Sequence, residues 1–181
     1  MNPSVSDTPA LSRRGLLKFS LGASAFLATA GLGASLSGCS ASTPANGFAA
    51  LRSGDLPCLR AIIPVMIDGA VDSEKLTAAV EQTLLSLDNG LNHLSPEMLK
   101  LTRQLFDVLG MTITRGPLTG IWGSWENASP GAIRDFLQRW ENSSLSLLRM
   151  GHNSIVQLVM MAWYNRAESW AHCGYPGPPK V

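Results

Sequence analysis

Charge is scarce in this chain. Lys, Arg, Asp and Glu together make up 15% of its 181 residues, and the formal net charge is +1. No basic stripe or run of like charge occurs, which argues against nucleic acid as a partner. Histidine is equally rare: His93, His152 and His172 stand isolated in sequence, and a lone His is more often a surface or core residue than a ligand. Cysteine occurs only at positions 39, 58 and 173. That excludes a Cys-rich zinc site or an iron–sulfur cluster held by this chain alone. Cys-x-x-Cys-His, Gly-x-Ser-x-Gly and His-Glu-x-x-His are all missing. Glu126, Asp135 and Glu141 sit beside Arg134 and Arg139 and read as a solvated helix face rather than paired acids. Sustained alternation of apolar and polar residues, the signature of a half-buried strand, is missing too. The inventory offers no convincing catalytic site.

What is present begins near the N-terminus. "SRRGLLKF" at 12–19 places Arg13 and Arg14 side by side, and from Gly15 to Gly38 the only charge is Lys18. A charged segment, an apolar segment and small residues before a processing point describe an export signal. The order Ser12-Arg13-Arg14-Gly15-Leu16-Leu17-Lys18 matches the twin-arginine pattern, an address read by a receptor. Leu36-Ser37-Gly38-Cys39 resembles a bacterial lipoprotein box, in which the Cys is acylated and the signal is cut just before it. Cleavage at a nearby small-residue site, or an uncleaved anchor helix, are the alternatives. Residues 1–38 are therefore expected to be the signal and Cys39 the lipidation site, placing the chain in the periplasm, tethered to a membrane. The twin-arginine route carries proteins already folded, typically around a cofactor. The mature chain should hold a cofactor site or travel with something that does.

Residues 39–54, rich in Ser, Ala, Gly, Thr and Pro, read as a flexible tether, and 55–181 as one helical domain. A first helix is expected from Leu56 to Ile67, shortened or kinked by Pro64. Asp72 caps a second, with Leu76, Ala79, Val80, Leu84 and Leu87 at helical spacing and Asn89-Gly90 as a stop. Ser95-Pro96-Glu97 opens a third, with Met98, Leu101, Leu105 and Leu109 as its stripe. Ser129-Pro130 opens a fourth, lined by Ile133, Phe136, Leu137 and Trp140. A last helix from about Ser154 to Asn165 is apolar nearly all round, which predicts a central position. Its apolar run, Ile155 to Trp163, is short of the ~20 residues a spanning helix needs. The expectation is an all-α bundle, small and irregular, of about four to six helices. Residues 111–128, with four Gly or Pro, should be irregular.

All five tryptophans lie between 122 and 170. Some fill the core, but Trp and Tyr on loops and a tail also suit a protein–protein anchor. The ending "MAWYNRAESWAHCGYPGPP", behind a twin-arginine signal and a small all-α body, resembles the gluconate 2-dehydrogenase subunit 3 family. These are small subunits of membrane-associated FAD-dependent dehydrogenases acting on sugars, alcohols and sugar acids. The specific part is "AWY" at 162–164, Trp170 and "GYPGPP" at 174–179. The resemblance implies a non-catalytic subunit that binds the large flavoprotein, helps it mature and supplies the export signal for both. FAD would then sit in the partner and no cofactor in this chain, with a cytochrome c subunit as a further partner and the twin-arginine translocase as carrier. The expected partner-binding residues are Trp122, Trp125, Trp163, Tyr164, Trp170, Tyr175 and Pro176. A lipoprotein scaffold unrelated to any dehydrogenase, and a stand-alone periplasmic enzyme using His152 or His172, are the competing readings. Cys58 and Cys173 are disulfide candidates: they pair with each other across a loop of about 115 residues, or Cys173 bonds the large subunit and Cys58 stays buried and free.

Overall fold

The computed structural model describes residues 43–177, the side chains of Ala171 and His172 excepted. The signal with Arg13 and Arg14, the lipidation candidate Cys39, and Pro178 and Pro179 of the tail lie outside the described residues. Seven α-helices and two 3-10 turns make up the described fold, which contains no strand. The all-α expectation holds, although one α-helix and one 3-10 turn fall within 111–128, where irregular chain was expected.

Helix α1 spans Leu56–Met66 and buries Leu56, Cys58, Leu59, Ile62 and Ile63. Pro64 lies inside it and offers no N–H to the Arg60 carbonyl, so the helix ends two residues later. Asp72 leads into a 3-10 turn, Ser73–Lys75, before α2, Leu76–Asn92. The expected stop at Asn89-Gly90 is overridden. Glycine inside a helix costs about 1 kcal/mol, but Leu91 beyond it is 2% exposed, and burying a leucine returns roughly 2 kcal/mol. Helix α3, Pro96–Gly110, starts as expected, the Ser95 hydroxyl accepting from the Met98 N–H at 3.3 Å. Its inner face is Thr102, Phe106 and Leu109, whereas Met98 and Leu101 are exposed. The bulkier Phe106 takes a core position, and of the expected stripe Leu109 stays buried and Leu105 half-buried while Met98 and Leu101 face outward.

Helix α4, Thr112–Thr119, replaces part of the irregular stretch and ends at Gly120, whose φ of +77° closes its N–H onto the Gly116 carbonyl. Helix α5, Pro130–Glu141, begins at Ser129, whose hydroxyl accepts from the Ala132 N–H, and buries Ile133, Phe136 and Trp140. Helix α6, Ser146–Tyr164, starts well before the expected Ser154. Only Ile155, Val159, Ala162 and Trp163 are buried along it, while Leu147, Met150 and Met161 are exposed. The helix expected to be surrounded is thus packed on one side. Helix α7, Ala167–Cys173, ends the described helices.

The core is centred on an edge-to-face row of Trp125, Phe136 and Trp140, with ring centroids 5.9 and 5.0 Å apart. The Trp125 indole N–H donates to the Leu109 carbonyl at 2.9 Å, and that of Trp140 to the Leu118 carbonyl at 2.8 Å. Both indoles therefore pin neighbouring helix ends. The tether expectation fails over 43–54. Ala45, Ala50 and Leu51 are buried, and the Asp88 carboxylate accepts the N–H groups of Ala49, Ala50 and Leu51 at 2.8, 2.8 and 2.7 Å. Arg52 adds ion pairs to Asp55 at 2.8 Å and to Asp107 at 2.7 Å. A small-residue segment that loses its backbone donors to one buried carboxylate is a strap, not a tether.

Candidate docking surface

The C-terminal half of α2, the start of α3 and the outer face of α6 enclose an open groove of about 680 Å³. Leu94, Met98, Leu158, Met161 and Ala162 line it, and no lining residue is ionisable. A larger cavity of about 960 Å³ beside Trp163 instead carries Asp72, Lys75, Arg166 and Glu168 in its walls. Leu101 on α3 and Leu147 and Met150 on α6 are further exposed apolar residues on the two helices flanking the groove. From the sequence, Met98 and Leu101 and the apolar run from Ile155 to Trp163 were expected in the core. The signal that separates them is surplus: α3 and α6 carry more apolar residues than one buried stripe can use.

The aromatic residues expected to bind a partner divide. Trp125 and Trp163 are each 2% exposed and belong to the core. Burial removes both from any docking role, since Trp125 supports Leu109 and Trp163 stacks under the Arg166 guanidinium at 5.4 Å. Arg166 itself is held by the Ala79 carbonyl at 3.0 Å and the Thr83 hydroxyl at 3.2 Å. Trp122 is 76% exposed, its ring lying over Gly116 of α4. Tyr164, Trp170, Tyr175 and Pro176 come together at the C-terminal end. The Trp170 indole N–H donates to the Tyr164 carbonyl at 2.9 Å, and its ring meets Tyr175 edge-on at 5.4 Å. The Tyr175 N–H closes back on the Trp170 carbonyl at 3.0 Å. Gly177, at φ +97°, passes so close to the Trp170 ring that a Cβ would sit 3.1 Å from it. Tyr164, Tyr175 and Pro176 stay exposed.

The two cysteines are not joined. Cys58 is fully buried on α1 and donates to the Asp55 carbonyl at 3.1 Å. Burial, and then the nearby Asp55 carboxylate, push its thiol up to about 12. Cys173 is exposed. The internal pairing fails because Cys58 faces the core. His93 is exposed, with Nδ1 2.7 Å from the Asn89 carbonyl, and His152 Nδ1 lies 3.3 Å from the Asn153 side chain. Among the described residues, no three of His, Cys, Asp and Glu converge as metal ligands. Arg134 pairs with Asp68 at 2.7 Å in an exposed bridge, as a solvated face would.

Compared with protein-family models, with curated proteins and with solved structures, the chain matches none of them.

Proposed function

We propose that this chain is the non-catalytic small subunit of a periplasmic FAD-dependent dehydrogenase acting on a sugar, alcohol or sugar acid. It binds the large flavoprotein subunit, assists its maturation and takes it through the twin-arginine translocase, with Cys39 acylated as the membrane tether. FAD is held by the partner, and a cytochrome c subunit completes the electron path. The observation that carries this reading is the groove between α2, α3 and α6. Large apolar side chains left exposed on facing helices mark a protein partner, and a signal whose route accepts folded cargo explains why that partner would bind in the cytoplasm. The resemblance of "AWY", Trp170 and "GYPGPP" names the partner's class.

The two cysteines fit the same reading. Cys58 is buried and inert, while exposed Cys173, beside the Trp170–Tyr175 pair, bonds a cysteine of the large subunit. Affinity purification of the full chain from its own cells tests the proposal. A large partner with a flavin absorption spectrum should co-purify, and once thiol has split the disulfide Met161→Glu should release it. On non-reducing electrophoresis the two subunits should run as one band that thiol splits. A chain recovered alone, or with partners that contain no flavin, defeats the proposal and favours an unrelated lipoprotein scaffold.

A further inference from the structure

The strap begins at Thr43, and three residues separate it from Cys39, a reach of no more than about 14 Å when fully extended. The chain is fixed from its first described residues. Pro44 pairs with Arg52 by a backbone bridge, and the Ala45 N–H donates to the Leu51 carbonyl at 2.8 Å. Arg52 in turn meets Asp107 of α3, and Gly54 lies against Gly110, where a Cβ would come within 3.4 Å of the Gly54 carbonyl oxygen. The strap therefore rests on the corner where α3 gives way to α4. That corner is apolar and open: Met111 is 41% exposed, Ile113 78%, and the Trp122 ring covers Gly116, one turn along α4 from Ile113. Between Asp107 and Glu126 there is no carboxylate, and the only charge is Arg115.

We infer that Met111, Ile113 and Trp122 form a membrane-contact corner that lies on the lipid bilayer. The inference rests on the acylation of Cys39 proposed above. A lipid fixed within about 14 Å of Thr43 leaves the domain little freedom to stand off the bilayer. The apolar corner under the strap is the surface brought to the headgroups. Tryptophan favours that interface, and a segment free of carboxylates meets anionic lipid without repulsion. The groove between α2, α3 and α6 is left to the protein partner.

The test uses the full chain, made in a bacterium with lipoprotein-processing and twin-arginine machinery, in vesicles of phosphatidylethanolamine and phosphatidylglycerol. Mass spectrometry of the N-terminal peptide reports acylation, and tryptophan quenching by lipids brominated on the acyl chain reports depth. Trp125, Trp140 and Trp163 are buried and Trp170 is half-buried against Tyr175 at the C-terminal end, away from the corner's residues in sequence, so quenching should fall mainly on Trp122. Trp122→Phe should then lose most of the quench, and Ile113→Ser should weaken it. An acylated protein whose quench survives Trp122→Phe, or is never seen, overturns the corner and leaves the anchor standing. Loss of the flavoprotein by these variants, without bilayer quenching in the parent, makes the corner a protein surface instead. Cys39 found without acyl chains overturns the anchor and takes this inference with it.

Discussion

Asp88 shows how much one side chain decides here. Its buried carboxylate holds three consecutive N–H groups of the strap, and hydrogen bonds to a charged group contribute roughly 1.5–3 kcal/mol each, not additively. Asp88→Ala should cost about 3 kcal/mol or more and expose 43–54 to protease, measured by urea unfolding and by mapping early cleavage sites. An intact strap in that variant would mean that the Arg52 pairs alone hold it. Cys58 makes a cleaner case. With its thiol buried and pushed up to about 12, it should resist alkylation in the native chain, whereas exposed Cys173 should label at once in the chain freed of its partner. Labelling of both at equal rate would contradict the burial. The Arg60–Glu81 bridge joins α1 to α2 in solvent, and its hydrogen bond holds the Glu81 carboxyl below the usual range. Its contribution is complete above the ordinary carboxyl value near pH 4.3 and fades as pH falls through the lowered one. Glu81→Gln should therefore cost under about 1 kcal/mol at neutral pH, and the two proteins should unfold alike in strong acid.

At the scale of elements, the two helix starts marked by Ser-Pro were legible, whereas the start of α6 and the helix stops were not. Ser95 and Ser129 announce their helices because a cap is a local hydrogen bond to a nearby N–H. Where a helix stops depends on what lies past the stop signal: Gly90 yields to the burial of Leu91, and Pro117 with Gly116 does not prevent α4. The strap was illegible because small residues look alike in a tether and under a carboxylate 37 to 39 positions away. The inner faces of α3 and α6 were misread because periodicity counts apolar residues without saying which side a neighbour covers. Two glycines separate local from tertiary effects. A Cβ on Gly151 would stand 2.6 Å from the ring of buried Trp140, whereas one on Gly90 would meet nothing within 4 Å. Gly151→Ala should lose about 1–2 kcal/mol, overpacking outweighing helix propensity. Gly90→Ala should gain about 0.5–1 kcal/mol. Denaturant midpoints of the two variants should move in opposite directions, and parallel shifts would show that Trp140 can give way.

For the whole molecule, the domain has two unlike aspects. One is a core closed around Trp125, Phe136 and Trp140, and the other is apolar surface on α3 and α6 that the described residues leave uncovered. Among the described residues no helix is long and apolar enough to cross a membrane. The candidate site was half legible: Trp122, Tyr164 and Tyr175 are exposed as expected, Trp125 and Trp163 are not, and the groove appears only when helices are placed side by side. The central claim is that this chain carries a folded flavoprotein out of the cytoplasm. Its most direct measurement is the location of the flavin-loaded large subunit in cells where Arg13 and Arg14 are both replaced by Lys. The account predicts that the large subunit and its dehydrogenase activity stay in the cytoplasm, because the receptor reads the arginine pair itself. A large subunit that still reaches the periplasm with this chain held back would contradict it.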